Sequence, residues 1–369
     1  MSTMTNYTQD ERVADRLRLQ SLEAEISTNR DAPATSHTER KLLQDRLYAY
    51  VYPVLTLPHE ITSEIFLRYI PTYPARPVLF GDESPSRLSH ICAQWRQAAL
   101  ATPALWRAIA LPTPWSDIER EFYISIAASW LERSGTLPLS ISVDASPDLD
   151  LLVPFAARWE YVSLERYLPL ARFPQNLPAL VELKINLDRE EDEVVTVMDA
   201  PKLATLSIFA VGIQPLQHFP WAQLSSLHLR EARIPVVVAV LPQCRALRHC
   251  RLGLKAGLAA SLNIDPIKLD TLNSLVIEFW TNQEPLGPRA LVHALRVPAL
   301  KNFLVHGDLF HQDHPASFAS LISTMGCTLE RLCIARPESP RAEYTATFPG
   351  VPHLELRDDS EVTQEDWGY

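Results

Sequence analysis

A six-residue pattern with apolar first, fourth and sixth positions recurs nine times between residues 159 and 356 of this chain. The segments are WEYVSL (159–164), LVELKI (180–185), LATLSI (203–208), LSSLHL (224–229), LRHCRL (247–252), LNSLVI (272–277), LKNFLV (300–305), LERLCI (329–334) and VPHLEL (351–356). Consecutive fourth positions lie 21 to 29 residues apart. Alternating apolar residues predict a strand with one buried face, and a recurring period predicts one unit stacked on similar units. Because a single unit cannot bury its own apolar face, the repeat restricts this part of the chain to an elongated stack of strands.

This period is that of leucine-rich repeats, so we expect an irregular leucine-rich-repeat-like solenoid with a parallel sheet over residues 137–358. The asparagine that usually follows the last leucine by three positions is absent from every repeat. We therefore expect other groups to stabilise the turns. Prolines are three times as numerous as glycines, 30 against 10. Four of them, Pro178, Pro201, Pro298 and Pro349, stand two residues before the first position of a repeat, which is typical of a turn that enters a strand.

The alternation also predicts which side chains each strand presents. The fourth and sixth residues should enter the core, and the third, fifth and seventh should lie on the opposite, concave face. On the middle repeats this face carries a mixed cationic and aromatic set: Phe209, His228, Arg230, His249 and Arg251. The same rule places Lys184, Asn186, Ser207, Ser274, Glu278, Asn302, His306 and Arg331 on it. Repeat proteins bind partners on such surfaces, although a solvated strand face without a ligand has the same pattern.

Helical periodicity dominates the first third of the chain. It predicts helices at 11–27 and 38–51, the second capped by Thr38, which form an arm over 11–52 after a disordered N-terminus at 1–10. The arm is either a hairpin, with a possible short coiled coil, or a helical segment packed on its own protein. A linker helix is predicted within 112–136, with the capping box Ser116–Glu119 at its start and Gly135 at its end.

Between these helices, residues 53–111 contain an ordered series of features. LPHEITSEIF (57–66) predicts a helix after Leu57-Pro58, and SPSRLSHICAQWRQAALATPALWRAI (84–109) predicts a second helix and a short third turn. Leu88, Ile91, Cys92 and Trp95 repeat at helical spacing and share one face of the second helix. A polar insert at 71–84 separates the first two helices.

In this order the features resemble an F-box domain, in particular the form abundant in mushroom-forming fungi. The resemblance covers 53–111, or 38–111 with the arm, and implies a three-helix domain that docks on a Skp1-like adaptor. The docking residues that it implies are Leu57, Pro58, Ile61, Ile65, Leu88, Ile91, Cys92, Trp95, Leu105 and Trp106. The insert is longer than in the minimal domain, which leaves the geometry of that loop open. The alternative is an ordinary three-helix bundle whose apolar residues are all its own core.

An F-box followed by leucine-rich repeats resembles a substrate-recognition subunit of an SCF-type E3 ubiquitin ligase. The fold class is then mixed, α+β or α/β. The resemblance implies that Skp1 connects the chain to a cullin and a RING protein, that the concave face binds an unknown protein target, and that the chain is not an enzyme and needs no cofactor. The alternative function is a non-catalytic leucine-rich-repeat scaffold without a ligase role.

A third possibility is an enzyme with a metal site in the cluster His306, Asp308, His311, Asp313 and His314, because imidazole and carboxylate are zinc ligands. We interpret this segment as a polar loop and expect no metal. The acids at 190–193 lack the EF-hand calcium pattern. No pair of glycines makes G-x-G, and no P-loop motif is present, so nucleotide-binding fingerprints are excluded.

The net charge of −10 is concentrated in two segments. Residues 337–369 carry eight acids and two arginines, and residues 188–193 carry five acids and one arginine. We interpret them as solvated segments, with 359–369 as an acidic tail, and expect no nucleic-acid partner. The five cysteines, Cys92, Cys244, Cys250, Cys327 and Cys333, are expected to be reduced. With no apolar run of membrane-spanning length and no secretory signal, we expect no membrane association and a cytoplasmic or nuclear location.

Overall fold

The computed structural model describes most of the chain. The described residues are 7–28, 33–49, 53–144, 149–168, 173–187, 198–209, 219–255, 264–279, 286–307, 315–337 and 339–358. The acidic segment 188–193 and the tail 359–369 therefore lie outside the described residues, as do positions 1–6 of the predicted disordered N-terminus.

The chain begins with two helices, α1 (Gln9–Thr28) and α2 (Ala34–Ala49), which pack against each other. Arg18 pairs with Glu39 and Asp15 pairs with Arg46, so the two helices run antiparallel as a hairpin. The helix includes residues 9 and 10, which the sequence placed in the disordered N-terminus. The Thr38 cap was also wrong, because α2 begins at Ala34 and the Thr38 hydroxyl donates to the Ala34 carbonyl inside the helix.

The next segment contains α3 (His59–Tyr69), α4 (Pro85–Leu88) and α5 (Ala93–Leu100), with short 3-10 turns at Pro53–Thr56 and Pro103–Leu105. The single helix predicted through Leu88 and Trp95 was wrong. Cys92 has extended backbone angles, and its sulfur accepts a hydrogen bond from the Trp95 amide at 3.4 Å, so it caps a new helix. The cysteine side chain accepts a hydrogen bond from a backbone amide at the helix start, as serine often does at this position. Hydrophobic periodicity treats Cys92 only as an apolar residue and therefore misses this cap.

The rest of the chain forms a mixed α/β structure on an eleven-stranded parallel sheet. The strands are β1 (Ala108–Leu111), β2 (Leu139–Val143), β3 (Trp159–Leu168), β4 (Glu182–Leu187), β5 (Thr205–Phe209), β6 (Ser226–Ala232), β7 (His249–Leu254), β8 (Ile267–Lys268), β9 (Ser274–Phe279), β10 (Leu295–Arg296), β11 (Asn302–His306), β12 (Arg331–Ala335) and β13 (His353–Arg357). Strands β8 and β10 pair with each other, and the others are joined in chain order. The sheet thus begins at Ala108, inside the segment that the sequence assigned to the helical domain.

In the part of the chain that the structure describes, six further helices connect the strands. They are α6 (Asp117–Arg133), α7 (Leu149–Leu152), α8 (Ile234–Val240), α9 (Leu286–Ala294), α10 (Pro315–Met325) and α11 (Arg341–Thr347), with 3-10 turns at Val153–Arg158, Trp221–Gln223 and Leu241–Gln243. The helix predicted within 112–136 is confirmed by α6, which connects the paired strands β1 and β2 of the sheet. The Ser116 hydroxyl accepts from the Glu119 amide at 3.2 Å, and Gly135 takes the positive φ of 60° that terminates the helix.

The predicted register of the repeat is confirmed residue by residue. The nine fourth positions are neighbours across the sheet in the order Val162, Leu183, Leu206, Leu227, Cys250, Leu275, Phe303, Leu332 and Leu354. Ile141 and Ile109 extend this row through β2 and β1. The first eight of the nine fourth positions are fully buried, so one row of apolar side chains spans the sheet.

The units are also joined by a repeated backbone hydrogen bond at the second position. Each second-position amide donates to the second-position carbonyl of the preceding unit, at 2.8 to 2.9 Å, through Val181, Ala204, Ser225, Arg248, Asn273, Lys301 and Glu330. In four units the amide of the first position donates to the carbonyl three residues earlier and so closes a turn. The second residue of that turn is Pro178, Pro201, Pro298 or Pro349. Proline fixes the φ angle that this turn position needs, which accounts for part of the proline excess.

Two side chains also stabilise turns that enter a repeat strand. Gln223 donates to the Leu203 carbonyl at 3.0 Å, and Thr271 donates to the Leu247 carbonyl at 2.8 Å. Both residues directly precede a first-position leucine, and both acceptors are first-position leucines of the preceding unit. These contacts lie before the strands, whereas the missing asparagine belongs to the turn after each strand, so the expectation for that turn stays a prediction.

One apolar core extends from Phe66 in α3 to Phe348 after α11. Trp106 and Trp130 join its N-terminal end to α6, with ring centroids 5.5 Å apart, and the Trp106 indole donates to the Ala99 carbonyl at 2.9 Å. At the other end Phe318 of α10 contacts both Phe303 and Phe348. The α3–α5 segment and the sheet therefore share one continuous core.

Candidate functional site

The first candidate surface lies on the helices α3 to α5. Ile61 and Ile65 stand one turn apart on α3 and are 49% and 44% exposed, and Ile91, just before α5, is 56% exposed. The adjacent side of α3 is buried at Thr62 and Phe66, and Phe66 belongs to the apolar core. We call Leu57, Pro58, Ile61, Ile65 and Ile91 the helical apolar surface. Pro58 is exposed and Leu57 is half-buried beside it.

Polar contacts fix the elements that carry this surface. The Gln94 side chain of α5 donates to the Leu55 carbonyl at 2.6 Å, which holds the turn before α3 against α5. The hydroxyls of Ser63 and Thr102 lie 2.8 Å apart and join α3 to the turn after α5. The exposed isoleucines therefore stand on a fixed backbone.

The other side chains that the resemblance assigns to docking occupy different positions. Leu88, Leu105 and Trp106 are buried in the core, so they do not face solvent. Trp95 is half-buried, and its ring meets Phe66 edge-on with centroids 5.0 Å apart. Cys92 is half-buried and caps α5. The structure thus divides the ten residues into an exposed group and a group that supports it.

The second candidate surface is the sheet face opposite the core, which we call the open face. Its fifth-position row runs Ser163, Lys184, Ser207, His228, Arg251, Val276, Leu304, Cys333 and Glu355. The row is polar as far as Arg251 in β7, and then apolar and fully buried at β9, β11 and β12. The open face therefore has a polar half and an apolar half.

The apolar half departs from the predicted surface. Ser274, Glu278 and His306, which the sequence placed on a solvent-facing strand surface, are buried. Alternation predicts the side of the sheet on which a residue lies, but not whether that side is covered. The buried cluster of Val276, Leu304 and Cys333 shows that this half of the open face is covered.

A shallow cavity lies on the polar half of the open face, over β3 to β6. It has a volume of about 60 Å³ and is lined by Ser163, Leu164, Lys184, Ile185, Asn186, Ser207, Phe209 and Arg230. Arg230 stands opposite Phe209 in the register, and its guanidinium lies over the ring, 5.3 Å from the centroid. Two of the five predicted binding residues therefore line one cavity, and Lys184, Asn186 and Ser207 complete it.

The remaining predicted residues surround this cavity. Arg251 makes a bidentate ion pair with Glu278, at 2.6 and 3.2 Å, in which the Glu278 side chain is only 5% exposed. His228 lies between Ser207 and Arg251 in the row. Burial, followed by the charges of Arg251, Arg230 and Lys184, lowers the pKa of His228 to about 3. His249 is half-buried, and burial and then Arg248 lower its pKa as well.

The insert at 71–84 packs against β2 and β3, the strands at the N-terminal end of the open face. The Tyr73 hydroxyl donates to Glu160 at 2.5 Å, Arg76 donates to the Tyr161 carbonyl at 3.3 Å, and Ser140 donates to the Pro74 carbonyl at 2.7 Å. Burial, then the hydrogen bond to Glu160, raises the pKa of Tyr73 far above its usual value. The segment whose geometry the sequence left open thus packs on β2 and β3.

The remaining candidates are the cysteines and the metal hypothesis. All five cysteines are free in the structure, and burial raises the pKa of the Cys244 thiol to about 12. The metal hypothesis falls mostly outside the described residues, because only His306 of its five ligands is described. Among the residues that the structure covers, no group of three or more potential ligands could hold a metal ion. In the same residues, no helix has the length and apolar character needed to cross a membrane.

Comparison with known proteins gives no family assignment, because no family model and no curated protein matches the chain.

Proposed function

We propose that this chain is the substrate-recognition subunit of an SCF-type ubiquitin ligase. In this proposal residues 53–111 act as an F-box that docks on a Skp1-like adaptor, and the repeated strands act as an irregular leucine-rich-repeat solenoid that binds a target protein. The chain itself catalyses nothing. It raises the concentration of the target near the ubiquitin-charged enzyme that the cullin and the RING protein bring.

The observation that carries the docking part is the exposure of Ile61, Ile65 and Ile91. They are three of the residues to which the F-box resemblance assigns adaptor contacts, and they stand on a backbone held by core packing on its other side. An apolar group of this kind on fixed helices is typical of a protein-binding surface. Leu88, Leu105 and Trp106 are buried, so the proposed interface is built without them.

The repeat supports the second half of the proposal. Nine units of 21 to 29 residues pair in one register, and the same backbone hydrogen bond links each of seven successive units to the next. Such one-dimensional stacking produces the long surfaces on which repeat proteins bind partners. The polar half of the open face is the part that we assign to the target.

The test is co-purification with recombinant Skp1. Ile61→Asp should abolish capture, because it places a charge in the first turn of α3 at the proposed interface. The matched control is Ile118→Asp in the first turn of α6, where the isoleucine is 82% exposed and lies outside the proposed interface. Capture should be lost only in the first variant. If the wild-type chain does not bind Skp1, or if both variants bind equally, the ligase assignment fails.

A further measurement separates a ligase subunit from a scaffold that binds Skp1 without ligase function. Partners recovered with the wild-type chain should accumulate when the proteasome or the cullin is inhibited, and should not accumulate with Ile61→Asp. Partners whose levels are the same in all of these conditions would favour the scaffold.

A further inference from the structure

The cavity on the polar half of the open face has the size of a single polar group. Its volume of about 60 Å³ is several times the roughly 10–15 Å³ that one water needs by the same measure. It is far smaller than the roughly 300–1,000 Å³ pockets of drug-sized ligands. Lys184, Asn186, Ser207 and Arg230 are polar side chains of its lining, with the Ser207 hydroxyl also 3.4 Å from His228 Nδ1, and no acidic residue lines it.

The charges around the cavity leave one cation uncompensated. Arg251 pairs with Glu278, and Lys184 pairs with Glu182 at 2.9 Å. Arg230 is exposed and, among the described residues, has no carboxylate partner. Phe209 lies under its guanidinium and restricts the plane in which the group presents its N–H donors. Arginine presents these donors in a fork that matches a carboxylate.

We propose that this cavity binds the carboxylate of an aspartate or glutamate side chain in an acidic segment of a partner protein. The partner is the target of the proposed function, so this inference rests on that function for its biological role, although the binding itself does not require Skp1. A monoanion balances the single free charge of Arg230. A phosphate dianion would leave a negative charge beside Glu182, so the charges favour a carboxylate.

The binding is measured by fluorescence anisotropy on the full chain, with a labelled peptide of alternating glutamate and alanine as the probe. Arg230→Met should weaken binding by at least about ten-fold, the range expected for a hydrogen bond to a charged group. The matched control is Arg245→Met, because Arg245 is an exposed arginine in the turn before β7 and does not line the cavity. Arg245→Met should bind as the wild type does. An equal loss in both variants would show a general charge effect and overturn the proposal.

Three further binding measurements test which chemical group occupies the cavity. A glutamine–alanine peptide of the same length should not bind; equal binding would exclude carboxylate recognition. A phosphoserine peptide should bind no better than the glutamate peptide, and stronger binding would overturn the choice of a carboxylate. If the glutamate peptide binds only after residues 190–193 are changed to amides, the chain's own acidic run is the occupant and the partner assignment is wrong.

These outcomes are independent of the adaptor. Skp1 capture with no carboxylate binding would remove only this inference. Carboxylate binding without Skp1 capture would remove only the ligase assignment.

Discussion

The α3–α5 segment and the repeated strands distribute their apolar side chains in opposite ways. In the sheet, the first, fourth and sixth positions of the units through β12 are all buried, and their side chains pack the units together. In the helical segment, only one side of α3 enters that core, and Ile61 and Ile65 remain about half exposed on the other. Apolar side chains thus stabilise the fold in the repeated strands, whereas on α3 two of them stay in contact with solvent.

This difference implies that substitutions of apolar residues should have separable effects. Those in the sheet should lower stability, and those on the exposed side of α3 should change binding. A buried apolar side chain contributes its transfer from water and its packing to the free energy of unfolding. An exposed one has little to lose in the isolated chain, but it loses its water when a partner covers it. Substitutions at positions that range from fully buried to exposed should therefore test whether apolar side chains contribute differently to stability in the two regions.

The largest expected effect is Leu206→Ala in β5. Leu206 is completely buried between Leu183 and Leu227 in the row of fourth positions. Removing such a side chain costs about 2–5 kcal/mol, and the value should lie in the upper part of this range because both neighbours are fixed by the sheet. Urea unfolding should show a clearly lower midpoint. A cost below about 1 kcal/mol would mean that this row does not hold the sheet together.

The next effect is that of Arg251→Met, which leaves the buried Glu278 carboxylate without the guanidinium that it accepts from. Because the pair is mostly buried, the loss should be about 2–3 kcal/mol, less than for a completely buried pair. The double variant Arg251→Met with Glu278→Gln should recover most of the loss, since no unpaired charge remains. The check is a double-mutant cycle of unfolding free energies, and strict additivity of the two changes would contradict the coupling.

The fold was largely predictable because its strands obey a local rule. The apolar six-residue pattern, repeated every 21 to 29 residues, predicted the register of nine strands. In the sheet, the fourth position of each repeat is paired with the fourth position of the neighbouring repeat. The short strands β8 and β10 were missed because two residues carry no periodic signal. The break at Cys92 was missed because its cause is a side-chain cap, which hydrophobic periodicity does not register.

The candidate sites were less predictable, since they depend on contacts between distant parts of the chain. The sequence placed Arg230 and Phe209 on one face, but not one over the other at 5.3 Å. It placed Arg251 and Glu278 on the same face without indicating that they pair, so Arg251 was predicted to bind a target. Trp106 was assigned to docking because a motif does not show that the ring packs against Trp130 of α6.

A smaller effect is expected from pH through His228. Its pKa in the folded chain is about 3, against about 6.5 for an unperturbed histidine, so below pH 6.5 the unfolded chain binds a proton that the folded chain does not. Stability should therefore fall as the pH is lowered from 7 to 5, by up to about 2 kcal/mol and closer to 1 after allowance for solvent screening. His228→Gln should lose less stability over this interval. An identical pH dependence in both proteins would show that His228 protonates freely in the folded state.

The smallest effect on stability, and the sharpest contrast with Leu206, is expected from Ile65→Ser in α3. Its side chain is 44% exposed on the side of α3 away from Phe66. Exposed substitutions usually change stability by no more than about 0.5 kcal/mol, although the partial burial of Ile65 raises the expected limit to about 1 kcal/mol. Urea midpoints should then nearly match the wild type, while Skp1 capture weakens because an apolar contact is lost. If Ile65→Ser unfolds as readily as Leu206→Ala, then Ile65 belongs to the core in solution and the two regions do not differ as proposed.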